Sequence, residues 1–145
     1  MTVFMAFLVL AIYNAGCMTT LQLQHYGIYP AVGHEHFAAY VRANNRAATW
    51  PTIVPAMLLL LASFVLAVRP PAFVAPLEAI MGLGLNLIAL VSTFVWQRPL
   101  HSHLAKNGYD EATVRRLIAT NWIRTIGHGL IAIMAIVILI RLLAG

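Results

Sequence analysis

Four apolar stretches, at about residues 3–23, 51–68, 73–95 and 117–143, occupy most of this 145-residue chain. Each is close to the roughly 20 residues an α-helix needs to cross a bilayer core. At 61% hydrophobic and 9% charged residues, with a mean hydropathy of +0.84, the chain has too little polar surface for a soluble globule. The expected fold is all-α: an integral membrane four-helix bundle, up-down-up-down with short links, forming one transmembrane domain over residues 1–145.

The first stretch has no Lys or Arg before it and is longer than the apolar core of a signal peptide, so it is expected to be retained as a helix. Cys17 follows Asn14-Ala15-Gly16, and Asn14 stands where a lipoprotein cleavage box wants an apolar residue. A lone cysteine excludes an intramolecular disulfide.

Basic residues set the expected orientation. The links after helices one and three carry Arg42, Arg46, Arg98, Lys106, Arg115 and Arg116, against Arg69 and Arg141 on the opposite face. By the positive-inside bias this puts both long links in the cytoplasm and both termini outside, in a bacterial inner membrane. The net charge of +5 then belongs to topology and anionic lipid head groups. No nucleic-acid partner is expected, since the basic residues are not interleaved with aromatics as strand binding requires.

Residues 33–49 read as a helical, interfacial extension leading into helix two, because Phe37, Tyr40, Val41 and Ala48 recur at helical spacing. Pro51 and Pro55 fall in the first membrane turns, where neighbouring groups must satisfy the backbone. Asn107-Gly108 reads as a turn, and Asp110-Glu111 as the start of helix four. The two halves also share an order of features: Gln24, Pro30, His34, His36, Asn45 and Arg46 against Gln97, Pro99, His101, His103, Asn121 and Arg124. A duplicated helical hairpin would explain that order.

Polarity inside the helices is the strongest pointer to a site. At about 100° per residue, Asn121, Arg124 and His128 share one face of helix four, Asn86, Thr93 and Gln97 one face of helix three, and Tyr13, Cys17, Thr20 and Gln24 one face of helix one. Turned toward each other they hydrogen-bond; turned toward lipid each is costly. For Asn86, Thr93 and Gln97 interhelical packing competes evenly with function. Arg124 has snorkelling to the interface as its alternative, whereas His128 lies deeper.

Five of the six histidines, His25, His34, His36, His101 and His103, fall in the two polar stretches. His-x-His pairs project to one side in an extended segment and suit a transition metal, but in a helix they diverge by about 200°. His34, His36 and His103 are better explained as solvated interfacial residues. His25 and His101, beside Gln24 and Gln97, are the better ligands, and a heme between His25 and His128 is a further option in a bundle of this kind. The cofactor stays open between a transition metal, heme and none.

At Gln24-His25-Tyr26 through Tyr29-Pro30, Phe37-Ala38-Ala39-Tyr40, Asn45-Arg46, Gln97-Arg98-Pro99-Leu100-His101 and Thr120-Asn121-Trp122-Ile123-Arg124-Thr125, the chain resembles a group of small bacterial four-helix membrane proteins of unknown function. These are distantly similar to the anthrone oxygenase-like family. The resemblance implies a compact membrane bundle that oxidises a polycyclic aromatic substrate with dioxygen without an obvious organic cofactor, and it carries over Asn121, Trp122 and Arg124 as pocket residues. The His-x-His pairs are no part of that pattern.

Two function classes follow. One is an oxidoreductase for a small apolar, aromatic or quinone-like molecule entering from the bilayer. In it Arg124 stabilises negative charge, His128 or His25 moves a proton, and Trp122 and Tyr26 pack the ring beside Gln24, Asn86, Thr93, Gln97 and Asn121. The other is a non-catalytic protein that binds or transports a metal ion, or holds an anionic lipid on Arg124. The partners expected in both are the lipid bilayer and a small ligand.

Overall fold

Each apolar stretch continues at one end into a helix longer than a bilayer requires. The computed structural model, which describes residues 1–145, contains α1 (Thr2–Ala31), α2 (Phe37–Val68), α3 (Pro76–Asn107) and α4 (Glu111–Ala144), each long and apolar enough to span a membrane. They form an antiparallel bundle in which α1 and α3 each pack against both α2 and α4. The protein is therefore a multi-pass, all-α membrane bundle.

The links are shorter than the polar stretches suggested: residues 32–36 and 108–110 at one end of the bundle, and 69–75 at the other. Most of the two polar stretches is helical and extends the bundle. In the first, the extension expected before helix two is present as Phe37–Ala48. Phe37 and Val41, on its apolar side, are fully buried. The second folds as Arg98–Asn107 and the first turns of α4. Asp110 starts α4 by accepting the Thr113 backbone N–H at 2.9 Å. Hydrogen bonds from Thr113, side chain first and backbone second, hold the Asp110 carboxyl below its ordinary range. Such an N-cap satisfies one of the helix's orphan donors.

The interior divides into three layers. Near the 69–75 link lies an aliphatic and phenylalanine core that includes Phe4, Phe7, Ala11, Leu59, Leu66, Ile131, Ala135 and Ile138. This end is tied by Arg141, which donates to the Glu78 carboxylate at 2.8 and 3.0 Å. At the opposite, link end lies an aromatic core of Tyr26, Tyr29, Phe37, Val41, Leu104, Val114 and Leu117. Between them, Asn14, Met18, Gln22, Ser92, Gln97, Asn121, Thr125 and His128 are buried.

Three helices widen into a π turn on the link side of the aliphatic core: Leu21–His25 in α1, Thr49–Ile53 in α2 and Thr93–Gln97 in α3. In α1 the consequence is a change of face. Twelve α-helical residues from Asn14 to Tyr26 would leave those two side chains about 120° apart. A π turn absorbs about one extra residue and brings Asn14, Met18, Gln22 and Tyr26 onto one buried line.

In α2 the cause is proline. Pro55 has no N–H for the carbonyl of Pro51, four residues earlier. That oxygen instead accepts the Tyr13 hydroxyl of α1 at 2.9 Å. No residue of α2 between Val41 and Leu59 is fully buried, and the stretch is held by polar contacts instead: Pro51 O to Tyr13 of α1 and Arg42 to Ala105 O of α3.

Candidate functional site

The three tryptophans locate the polar layer relative to the bilayer. Trp50 precedes Pro51, which is bonded by Tyr13. Trp96 precedes Gln97, whose amide donates to Thr120 Oγ1 at 2.9 Å. Trp122 follows Asn121, whose amide donates to Gln22 Oε1 at 2.8 Å. These pairings put all three within about two helical turns of one another along the axis, and Trp50 and Trp122 are exposed. Tryptophan collects at membrane–water boundaries. From Trp122 to Arg141 the helix rises ~29 Å, matching a hydrocarbon core of about 30 Å. The polar layer thus sits at one boundary, with the aromatic core as a cap beyond it.

Arg124 is the focus of the layer. It is half-buried and turned toward α1, where one terminal nitrogen donates to the thioether sulfur of Met18 at 3.2 Å. Its charge acts on Cys17 and Tyr26 of α1, His101 of α3 and His128 of α4. No carboxylate joins it. The chain has four acidic residues: Glu35 lies beside His36, Glu111 pairs with Arg115, Glu78 with Arg141, and Asp110 caps α4.

The layer also leaves buried polar atoms without partners: Asn14 Oδ1, Ser92 Oγ, Gln97 Oε1, His101 Nδ1, Asn121 Oδ1 and His128 Nδ1. Such atoms are rare in folded proteins and mark places where water, an ion or a ligand completes the bonding. His128, on the line of Asn121 and Arg124, is only 4% exposed. The Nε2 of His101 and the Tyr26 hydroxyl are 3.1 Å apart.

Beside this lies a second cluster. The His25 ring lies between two tyrosines, with Nε2 3.3 Å from the Tyr29 hydroxyl and Nδ1 3.4 Å from that of Tyr40. Tyr26 and Tyr29 meet edge to face, with ring centroids 5.4 Å apart.

Several expected site residues are placed elsewhere. Gln24 is exposed and Gln22 is buried in its stead, because the π turn shifts the face of α1 beyond Leu21. Trp122 is 43% exposed and points out of the bundle, so it packs no interior ligand. Asn86 donates to Ser63 Oγ of α2 at 2.7 Å and to its own helix at Gly82 O, a packing role beside the aliphatic core. Thr93, half-buried, donates back to Ala89 O at 2.9 Å. Gln97 is buried and binds α4, as expected of an inward residue. A surface hollow lies away from the polar layer, between Phe73, Ala75, Arg141 and Leu142 at the other end of the bundle.

The histidine pairs do not converge. His34 and His36 are exposed in the turn before α2, and His34 stacks on Tyr109 at 4.4 Å between centroids. His101 and His103 are both helical, so their rings diverge; His103 is exposed and contacts Asn107 at 3.1 Å. That difference also separates the two His-x-His segments as structural equivalents. No group of three His, Cys, Asp or Glu side chains is arranged to hold a metal ion. For heme, both His25 nitrogens face tyrosine hydroxyls. The pairing of Gln22 with Asn121 puts His25 and His128 about 15 Å apart in helix rise alone.

Sequence reasoning missed Gln22, Met18, Thr125, Tyr29 and Tyr40. The i, i+4 run Asn14, Met18, Gln22, Tyr26 was the available signal, read against a 3.6-residue period that the π turn breaks. No protein family, curated protein or solved structure matches this chain.

Proposed function

We propose that this protein is a membrane oxidoreductase acting on a small aromatic or quinone-like molecule. Its ring system reaches the polar layer from the bilayer and presents an oxygen to Arg124. The observation that carries this reading is a guanidinium without a carboxylate partner, within electrostatic reach of two imidazoles whose Nδ1 atoms have no partner.

In such a site His128 takes a proton from an acidic C–H or O–H of the substrate, and Arg124 holds the oxyanion that remains. Tyr26, Met18 and Thr125 line the approach, while the Gln22–Asn121 bond fixes α1 against α4. The resemblance to oxygenase-like bundles supplies the oxidant, dioxygen. For a methylene beside an aromatic ketone the reaction balances as R2CH2 + O2 → R2CO + H2O. The basic bias of the link end supports placing that end in the cytoplasm.

Oxygen consumption by the protein in nanodiscs, with an anthrone-class tricyclic ketone as substrate, tests the reading. Turnover is expected, with a fall of about 10²-fold or more in His128→Ala. No protein-dependent oxygen uptake, or an unchanged rate in His128→Ala, would overturn it.

A further inference from the structure

The isolation of Arg124 also constrains the charge of what it holds. Resting on the site reading above but not on turnover, we infer that the ligand is a lipophilic weak acid bound as its monoanion, its oxyanion on Arg124 and its apolar body in the surrounding hydrocarbon. Arginine stays protonated under all conditions a protein meets and offers five N–H donors. Here a single donor contact is recorded, to a thioether, which is a weak acceptor.

None of the four acidic side chains lies in the polar layer: Glu35 and Glu111 are exposed, Glu78 pairs with Arg141 at the other end of the bundle and Asp110 caps α4. The titratable groups within electrostatic reach of the guanidinium are Cys17 and Tyr26 of α1, His101 of α3 and His128 of α4, while Tyr40 of α2 contacts His25 and packs on Tyr29. None of these is a fixed anion. One permanent cation calls for one negative charge, and the partnerless Nδ1 atoms of His101 and His128 supply further hydrogen-bonding capacity around it.

The position of the layer at the tryptophan level fits an amphiphile. A head group rests at the boundary while the body stays in hydrocarbon. An oxyanion on an apolar body is offered both by a free weak acid and by an anionic lipid head group.

The test uses the full-length protein in phosphatidylcholine nanodiscs, with 4-dodecyl-2-nitrophenol as probe and its methyl ether as the neutral control. The phenolate band reports ionisation directly. We expect a saturable phenolate signal at a pH where the same phenol in protein-free nanodiscs stays protonated, and no saturable binding of the ether. Arg124→Gln should weaken binding at least about tenfold, the scale of a lost hydrogen bond to a charged group, with Arg124→Lys retaining most of it. Equal binding of the ether to the unaltered protein overturns the inference without recourse to any variant, as does an unchanged affinity in folded Arg124→Gln. Displacement by phosphatidylglycerol at low mole fraction assigns the native anion to a lipid head group; resistance assigns it to a free acid. Phenolate binding without oxygen uptake would remove the oxidoreductase reading and leave this one standing.

Discussion

Replacing either partner of the Gln22–Asn121 bond tests whether the polar layer fixes α1 against α4. The bond is 2.8 Å long with both residues buried. The Gln22 amide also donates to Ile118 O at 3.3 Å. Asn121→Leu keeps roughly the same shape but leaves Gln22 Oε1 without its donor, an omission that costs about 1–3 kcal/mol in a protein interior. Interhelical hydrogen bonds in membranes average about 0.6 and reach about 1.7 kcal/mol. Asn121 Oδ1 has no partner even in the intact protein, so its removal offsets part of the loss. The expected destabilisation is therefore about 1–2 kcal/mol for Asn121→Leu and similar for Gln22→Met. The double variant, with two apolar groups facing each other, should be less damaged than the sum, giving a coupling of about 1 kcal/mol. Reversible unfolding in bicelles, followed by steric trapping, measures all four corners of the cycle. Additivity within about 0.3 kcal/mol would refute the idea that this bond locks the two helices together.

Tyr13→Phe should cost about 0.5–1.5 kcal/mol, because the Pro51 carbonyl loses its donor, and should cost less in a Pro55→Ala background, where the helix regains its own N–H. Trp122→Ala should leave binding of the nitrophenol probe within about threefold of the unaltered protein; a loss like that of Arg124→Gln would return this residue to the pocket. Asp110 has a folded-state pKa held below its unfolded value of about 3.9, so its stabilisation of α4 is complete above that unfolded value. The stabilisation is lost as pH falls through the lower, folded-state pKa. Hydrogen exchange at Thr113 should accordingly be faster in Asp110→Ala at neutral pH, with the difference vanishing in acid. Reporters fused after Ala105 should be cytoplasmic and those after Gly145 external; the reverse would move the site to the outer boundary.

What the sequence determined by itself is the class and the count. Four apolar stretches near bilayer length admit little but a bundle of helices, because backbone groups in hydrocarbon must be satisfied within each segment. The stripe Asn121, Arg124 and His128 was equally legible, since α4 is one uninterrupted α-helix and its 3.6-residue period holds over every residue of the stripe. The Asp110 start was local in the same way, resting on one side chain and the N–H three residues later.

Only the tertiary structure decided which residues meet that stripe. The π turns in α1, α2 and α3 shift side-chain register by an amount that no regular period encodes, which is why Gln22 lies inside and Gln24 outside. Whether Arg124 has an acid partner depends on where the helices carry four carboxylates: Glu78 pairs with Arg141 at the far end of the bundle, and the other three stay in the links or at the start of α4. The π turn of α2 accompanies Pro55, which leaves a carbonyl that a tyrosine on another helix accommodates. Contacts between segments up to about a hundred residues apart have no local signature, so the stripe was readable from the chain and its surroundings only from the fold.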